Sequence, residues 1–421
     1  MDAFVIHGGN RLEGRLRVNG SKNASLPLMA AALLTDRPIT LRDVPRLEDI
    51  KNMQRLLGEL GVDVARDEGE PGRMTLRSVD ESSSHARYEI VRTMRASICT
   101  LGPMLARRGA ARISMPGGCA IGDRPVDLHL RGMEALGAQI SLDSGDIVAV
   151  APRDARGRRR LKGARIFLGG PFGSTVLGTA NVMCAAALAE GRTIIECAAC
   201  EPEIVDLATL LNAMGAHIEG AGSPRITIEG VESLGGAEHR VMADRIEAGT
   251  YMIAAAITGG AVTLENCPLD ALAAAVDRLQ EAGVTVLEHP GPDRLRARCD
   301  VRVNGPLQPT QVVTQPHPGF PTDLQAQMMA LLCLAKGNSV ITEKIYPDRF
   351  LHVAELARMG AQTIRQGATV VVSGVPRLVG APVMASDLRA SAGLVLAGLA
   401  AEGRTVVNRV YHLDRGYEEM E

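Results

Sequence analysis

The chain has 421 residues, 46% of them apolar, and its 46 basic side chains nearly balance its 48 acidic ones. This length allows large buried cores and favours two domains, whereas the small net charge excludes a surface potential strong enough to hold nucleic acid or an anionic membrane. The longest apolar runs reach roughly a dozen residues, short of the roughly 20 that a membrane-spanning helix needs. The N-terminus also lacks a secretory signal pattern, so we expect a soluble, cytoplasmic protein that acts on a small molecule.

In chain order, the predicted elements repeat one pattern six times. A polar helix start leads into an Ala-rich apolar helix ending in glycine, followed by a strand, a second helix, a further glycine and another strand. The six copies begin near Ser21, Thr93, Gly178, Asp244, Thr322 and Ser386. The last copy reaches Glu421 before its second helix can finish, so we expect it to be truncated at its C-terminus.

The first helix of each copy is apolar on nearly every side, as residues 252–257 illustrate. We therefore predict that these helices are buried all round, with strands outside them. Two helix starts have the spacing of capping boxes, Asp244 with Glu247 and Thr322 with Gln325.

Six units divide naturally as three and three. The predicted fold class is α/β, and the seam falls near residues 235–244. The pattern leaves the N-terminal strand open to either half; we assign one domain to residues 21–241 and a second to residues 1–20 plus 242–421.

A loop rich in glycine and proline is predicted at residues 115–125, and it contains Cys119. The thiol there is either a reactive group or a loop residue with no role. Reactivity requires a lowered pKa, which Arg124 could supply by stabilising the thiolate near a bound anion. Elsewhere Cys197 and Cys200 form a CxxC, but no second pair stands at zinc-ligand spacing. We expect free thiols and no metal site.

Charged residues stand at two predicted helix starts. Lys22 and Asn23 follow Ser21, where open backbone donors favour a phosphate or carboxylate, although a solvated lysine is the alternative. Asp323 follows rigid prolines and is either a helix cap or a positioned base.

The equivalent junctions of the later copies carry Arg349, Asp387, Arg389 and Arg415. Clustered cations of this kind suit a polyanionic substrate.

Residues 169–175 look like a phosphate loop only weakly, because no Lys precedes the Ser and no G-x-G-x-x-G occurs. These absences exclude an ATPase or a nicotinamide-dependent dehydrogenase.

Seven phrases stand in the order in which one known family has them. They are Ser-Lys-Asn-Ala (21–24), Arg-Thr-Met-Arg-Ala-Ser (92–97), Pro-Gly-Gly-Cys (116–119), Arg-Pro-Val-Asp-Leu-His (124–129), Phe-Pro-Thr-Asp (320–323), Asp-Leu-Arg-Ala-Ser (387–391) and Asp-Arg-Gly-Tyr (414–417). Over essentially its whole length the chain resembles the enolpyruvyl transferase family. The resemblance implies an inside-out α/β barrel of two domains with three units each.

The resemblance also implies the reaction. The enolpyruvyl group of phosphoenolpyruvate would move to the 3′-hydroxyl of UDP-N-acetylglucosamine, in the first committed step of peptidoglycan synthesis. A proton adds to C3 of phosphoenolpyruvate while the sugar hydroxyl attacks C2, and the tetrahedral ketal then loses phosphate and a C3 proton. The family requires no metal and no organic cofactor.

Matching positions give the implied roles. Cys119 would be the general acid, able to form an adduct with phosphoenolpyruvate and to be alkylated by fosfomycin. Lys22, Arg124 and Arg415 would hold phosphate and carboxylate, and Asp323 would face the sugar hydroxyl as its base or acceptor. The implied sugar-nucleotide site comprises Asn23, Arg95, Pro125, Val126, Asp127, Leu128 and Ile345. Support for catalysis or closure would come from Arg349, Asp387 and Arg389.

Two alternatives stay open. A 5-enolpyruvylshikimate-3-phosphate synthase shares the fold and donor, but the phrases at 116–119 and 124–128 argue against it. A catalytically silent paralogue would bind a sugar nucleotide without turning it over. Residues 173–177 favour that alternative, because they read Gly-Ser-Thr-Val-Leu where the family usually has Ser-Val-Gly. Retention of Lys22, Cys119, Asp323 and Arg415 argues against it.

Overall fold

The computed structural model describes residues 3–116, 126–291 and 293–420. The chain divides into two compact units. The described part of the first, here called the N-terminal unit, is 20–116 and 126–242. The second, the C-terminal unit, contains residues 3–19 and the described residues from 243 onwards.

Two short strands open the chain, β1 (Ala3–His7) and β2 (Glu13–Arg17). The N-terminal unit then runs through α1 (Lys22–Ala30), β3 (Ile39–Arg42), α2 (Glu48–Glu59), β4 (Val62–Arg66), β5 (Met74–Ser78), β6 (His85–Ala86), α3 (Tyr88–Val91), α4 (Leu101–Arg108), β7 (Ala110–Ser114), α5 (Asp127–Ala135), β8 (Gln139–Asp143), β9 (Asp146–Val150), β10 (Arg165–Phe167), β11 (Gly169–Gly170), β12 (Gly173–Ser174), α6 (Val176–Ala187), β13 (Arg192–Glu196), α7 (Pro202–Ala213), β14 (His217–Glu219), β15 (Arg225–Glu229) and β16 (Ala237–Arg240).

The C-terminal unit continues with α8 (Arg245–Ile257), β17 (Ala261–Cys267), α9 (Ala273–Glu281), β18 (Val284–Glu288), β19 (Ala297–Val303), β20 (Gln311–Val313), α10 (Gln325–Leu332), β21 (Asn338–Thr342), α11 (Leu351–Arg358), β22 (Gln362–Gln366), β23 (Thr369–Ser373), β24 (Pro382–Met384), α12 (Leu388–Ala400) and β25 (Arg404–Asn408). Short 3-10 helices occupy Ala31–Leu34, Arg95–Thr100, Leu269–Ala271, Arg294–Arg296, Thr322–Leu324 and Val410–Arg415. None of the helices in the described ranges is long and apolar enough to cross a membrane.

The sheets repeat one topology, in which a parallel pair is followed by two antiparallel strands. Five sheets have four strands each, in the orders β16-β3-β5-β4, β6-β7-β9-β8, β10-β13-β15-β14, β2-β17-β19-β18 and β20-β21-β23-β22. The sixth has the order β24-β25-β1, and β1 pairs antiparallel to β25 with Val5 opposite Val406. The N-terminal strand therefore fills the third position of the last unit, and the α/β repeat prediction is confirmed.

The first helices of the repeats lie in the cores. Every residue of α8 except Tyr251 is buried, as expected for a helix that is apolar on all sides. Helices α10 and α12 approach so closely that a Cβ on Gly393 would lie 2.8 Å from the carbonyl oxygen of Ala326. Only a residue without a side chain permits this approach, so the predicted arrangement of inner helices is confirmed.

Two carboxylates with different partners stand at the start of α8. Asp244 accepts hydrogen bonds from the amides of Ile246 at 2.8 Å and Glu247 at 3.0 Å, as its predicted cap requires. The Glu247 carboxylate instead accepts from Asn19, from its backbone amide at 2.7 Å and its side-chain amide at 3.1 Å. The backbone amide of Asp244 donates to the carbonyl of Asn19 at 2.8 Å. The reciprocal half of the predicted box is thus replaced by contacts to Asn19.

The other predicted capping box, Thr322 with Gln325, is wrong. Helix α10 begins at Gln325 itself, and no side-chain cap precedes it. The Thr322 hydroxyl donates to Glu343 Oε2 at 2.8 Å. Its oxygen accepts from Arg349 Nη1 at 3.1 Å. A charged donor is a stronger partner than a backbone amide, and the sequence spacing gave no sign of it.

Stability should depend on pH through Glu247. Burial and the neighbouring charge of Asp244 raise the pKa of Glu247 to about 7 from an ordinary 4.5, against opposing hydrogen bonds from Asn19 and Tyr251. Between these pH values the folded protein binds a proton that the unfolded chain has released. We therefore expect this residue's contribution to the free energy of unfolding to fall as the pH rises from 4.5 to about 7.

Urea unfolding of wild type and Glu247→Gln across this pH range measures the effect. The variant should lack this component of the pH dependence. Glu265→Gln, which alters a half-exposed carboxylate paired with Arg15 at 3.5 Å, should follow wild type. If the free energy of unfolding changes equally with pH in wild type and Glu247→Gln, the prediction is contradicted.

Candidate active site

In the C-terminal unit, Asp323 meets two guanidinium groups. It lies in the 3-10 helix Thr322–Leu324, immediately before α10. Arg349 Nη1 donates to Asp323 Oδ1 at 2.8 Å, and Arg389 Nη2 donates to Oδ2 at 3.1 Å. The Asp323 side chain is 26% exposed, whereas those of Arg349 and Arg389 are 7% and 2% exposed. The carboxylate is therefore accessible in front of two buried cations that fix both of its oxygens.

The buried cations stay charged because acids surround them. Burial disfavours the charged form of Arg349, but the charges of Asp323 and Asp387 outweigh it and raise the pKa of Arg349. The pKa of Arg389 is raised in the same way, with Asp323 the largest favourable influence against burial. Burial lowers the pKa of neighbouring His352 to about 4, so this imidazole adds no charge at neutral pH.

Asp387 has a structural role as well as its charge. It is the N-cap of α12, and its side chain accepts from the amides of Arg389 at 3.0 Å and Ala390 at 3.1 Å. The same bonds fix the start of the helix that carries Arg389. Sequence position alone placed Asp387 at a helix start, and the cap explains why Arg389 enters the cluster from there.

Tyr417 ties the segment that carries Arg415 to Arg389. Its buried hydroxyl accepts from Arg389 Nη1 at 3.3 Å and from Gln327 Nε2 at 3.2 Å, and lies 2.8 Å from Thr250 Oγ1. Thr250 Oγ1 already lies within hydrogen-bonding distance of a helical carbonyl, as donor, at 2.8 Å. Tyr417 is therefore the donor in their pair, and one hydroxyl joins α8, α10 and α12. Arg415 stands two residues before this anchor.

In the N-terminal unit, Lys22 stands in the first turn of α1. Ser21 caps the helix by accepting from the amide of Ala24 at 3.2 Å. Lys22 Nζ lies 3.6 Å from Asp49 Oδ2, and the lysine side chain is only 12% exposed. A freely solvated lysine does not fit this geometry. Asn23 follows it on the same turn and is half-buried.

The other predicted residues of this unit stand on two neighbouring segments. Arg95 opens the 3-10 helix before α4, while Val126 is buried and Asp127 is exposed at the start of α5. Leu128 packs beside the β11–β12 hairpin, since a Cβ on Gly170 would lie 3.1 Å from Leu128 Cδ1.

Asn181, which sequence reasoning did not select, holds these segments together. Its side-chain amide donates to the carbonyl of Ile98 at 2.8 Å and lies 3.0 Å from His129 Nδ1. Its Oδ1 accepts from the amide of Gly102 at 2.6 Å. A buried polar side chain inside an otherwise apolar helix was the sequence signal for this role.

Three predicted site residues, Cys119, Arg124 and Pro125, lie outside the described residues. The cysteines that the structure does describe are free thiols. Burial raises the pKa of Cys99 and of Cys333 to about 12, which makes these two unreactive. Ile345 follows β21, and its backbone amide donates to Glu343 Oε1 at 2.8 Å. No group of three or more metal-ligating side chains that could hold a metal ion occurs in the described part of the chain.

Comparisons with known proteins identify the family of the chain. The sequence profile of the EPSP synthase (3-phosphoshikimate 1-carboxyvinyltransferase) family matches residues 6–421. A UDP-N-acetylglucosamine 1-carboxyvinyltransferase from Anaeromyxobacter sp. (strain Fw109-5) is 53% identical over 421 residues, covering 100% of this chain and 96% of the relative. One from Gluconacetobacter diazotrophicus is 54% identical with the same coverage.

Solved structures give the same picture of the fold. The enolpyruvyl transferase NikO from Streptomyces tendae is 26% identical with a TM-score of 0.86, covering 99% of this chain and 94% of that one. EPSP synthase from Acinetobacter baumannii has a TM-score of 0.72 at 19% identity, covering 98% of this chain and 95% of that one. The latter likeness concerns the fold alone.

Proposed function

Because this chain belongs to the EPSP synthase family, we propose that it transfers the enolpyruvyl group of phosphoenolpyruvate to the 3′-hydroxyl of UDP-N-acetylglucosamine and releases phosphate. The choice of acceptor is supported by two relatives that are named for that acceptor and are 53% and 54% identical over the whole chain. The reaction is the first committed step of peptidoglycan synthesis. We place it in the cytoplasm, and cell-wall growth and division depend on it.

Asp323 is the group that acts on the acceptor hydroxyl. A carboxylate has about four lone-pair sites, and Arg349 and Arg389 each use one oxygen of Asp323. The side chain of Asp323 is 26% exposed, which makes its carboxylate accessible to the 3′-hydroxyl. The two guanidinium groups fix the carboxylate in one orientation, so a substrate hydroxyl meets a preorganised acceptor.

The donor requires cations and an acid. Lys22, Arg124 and Arg415 hold the phosphate and carboxylate of phosphoenolpyruvate, where fixed positive charge stabilises the developing negative charge. Cys119 gives the proton that adds to C3 as the hydroxyl oxygen attacks C2. The ketal then expels phosphate and loses a C3 proton, which forms the enolpyruvyl product.

The resemblance to the family also supplies the residues for the sugar nucleotide. We assign contacts with the sugar nucleotide to Asn23, Arg95, the residues from Pro125 to Leu128, and Ile345. Asn181 fixes the positions of the segments that carry Arg95 and Leu128, because its side-chain amide contacts both segments.

An acceptor comparison tests this function. Phosphate release from phosphoenolpyruvate is measured with UDP-N-acetylglucosamine and, separately, with shikimate 3-phosphate. We expect release with the sugar nucleotide alone. Release with shikimate 3-phosphate alone would replace the proposed acceptor, and release with neither, despite nucleotide binding, would indicate a silent paralogue.

A further inference from the structure

A fully buried carboxylate, that of Glu343, lies behind the Asp323 cluster. Its Oε1 accepts from the Thr314 hydroxyl at 2.6 Å and from the amides of Ile345 at 2.8 Å and Tyr346 at 3.0 Å. Its Oε2 accepts from the Thr322 hydroxyl at 2.8 Å. In all four contacts the oxygens of Glu343 accept, as carboxylate oxygens do.

Glu343 fixes the direction of the Thr322 hydroxyl. A hydroxyl has one hydrogen, and here that hydrogen points to Glu343. The lone pairs of Thr322 Oγ1 therefore face Arg349 Nη1, which donates to Oγ1 at 3.1 Å and to Asp323 Oδ1 at 2.8 Å. Thr322 thus gives Arg349 a second acceptor beside Asp323 and fixes where its guanidinium lies.

Glu343 also reaches Arg349 through the turn that follows β21. The amide of Tyr346 is bound to Glu343, and the carbonyl of Tyr346 accepts from the amide of Arg349 at 2.9 Å. The Arg349 guanidinium carbon lies 5.8 Å from the centroid of the Tyr346 ring. Both the backbone and the side chain of Arg349 are therefore placed by groups that Glu343 holds.

We propose that Glu343 and Thr322 are positioning residues for the transfer reaction, which orient Asp323 through Arg349. The inference rests on the proposed function, since it assumes that Asp323 acts on the acceptor hydroxyl. Neither residue is assigned a contact with a substrate. Their effect appears in the chemical step, because the attacking hydroxyl is aligned by a carboxylate whose position they determine.

Glu343→Gln tests whether Glu343 sets the direction of the Thr322 hydroxyl. The glutamine amide has one oxygen and one NH2 group, so its NH2 group must face either the Thr322 hydroxyl or the three groups that donate to Oε1. In either orientation the NH2 group faces a group that donates in the wild type. If the NH2 group faces Thr322, the hydroxyl reverses and presents its hydrogen to Arg349. Thr322→Val removes the hydroxyl at nearly constant shape, whereas Thr322→Ser keeps it. Thr342→Val, whose hydroxyl instead pairs with Thr369 at 3.0 Å, is the matched control.

The full chain is assayed for kcat, for the KM of each substrate and for thermal melting. Glu343→Gln and Thr322→Val should each lower kcat about 100-fold with little change in KM. The double variant should lose no more kcat than either single variant, because Glu343 and Thr322 act through the same contact with Arg349. Thr322→Ser should restore most of the activity, and Thr342→Val should match wild type.

Three results would overturn the inference. A Thr322→Val variant with wild-type kcat, in a protein that forms product, overturns the inference and leaves the proposed function intact. A folded wild type that forms no product overturns the proposed function, and the inference falls with it. Equal losses in Thr322→Ser and Thr322→Val would show that packing, not the hydroxyl, is what matters.

Discussion

Asp323→Asn is expected to lower kcat/KM for enolpyruvyl transfer by about 1,000-fold, within the range that general acid and base groups contribute. The amide cannot take a proton from the acceptor hydroxyl. It also places an NH2 group against Arg349 or Arg389, each of which now donates to a carboxylate oxygen. Both the proton acceptor and its orientation are therefore lost.

Steady-state kinetics with both substrates measure this loss, and circular dichroism verifies that the variant is folded. Asp348→Asn is the matched control, because Asp348 is 83% exposed and pairs only at the surface with Arg365 at 3.1 Å. It should keep wild-type kcat/KM. A folded Asp323→Asn enzyme with undiminished kcat/KM would remove Asp323 from the chemical step.

Cys119→Ala is expected to lower kcat by roughly 100-fold to 10,000-fold, since it removes the proposed general acid. Alanine has no proton to give to C3 of phosphoenolpyruvate and no sulfur to form an adduct. Fosfomycin should inactivate wild type by alkylating this thiol, and the variant should not be modified. Intact-protein mass and peptide mapping locate the added mass.

Cys200→Ala provides the control for the cysteine prediction. Cys200 is half-buried, and its burial, together with the charge of Glu201, raises the pKa of Cys200. A thiol of that kind is a poor nucleophile at neutral pH, so this variant should keep activity and sensitivity to fosfomycin. Fosfomycin labelling at Cys200 rather than Cys119 would contradict the assignment.

The repeated architecture was predictable because its signals are local. Apolar helices flanked by polar starts and glycines occur within each copy, and the structure has them as inner helices such as α8. The pairing of β1 with β25 was not predictable, since it joins the two ends of the chain. Hydrogen-bonded pairing at that separation leaves no periodic pattern in the sequence.

The site was predictable as a set of residues but not as a network. Family phrases picked out Asp323 and Arg389, and a repeat junction picked out Arg349. In the sequence, Arg349 and Arg389 are separated from Asp323 by 26 and 66 positions. Their contacts depend on how α10, α11 and α12 pack. Glu343 and Tyr417 escaped selection as site residues because a buried acceptor or hydroxyl gains its role only from partners in other elements.

The most direct test of the proposed transfer is one reaction mixture that contains the protein, phosphoenolpyruvate and UDP-N-acetylglucosamine. Phosphate is measured together with the mass of the sugar nucleotide. We expect phosphate and enolpyruvyl-UDP-N-acetylglucosamine in equal amounts. A sugar nucleotide that binds the folded protein but keeps its original mass, with no phosphate released, would contradict the proposed transfer.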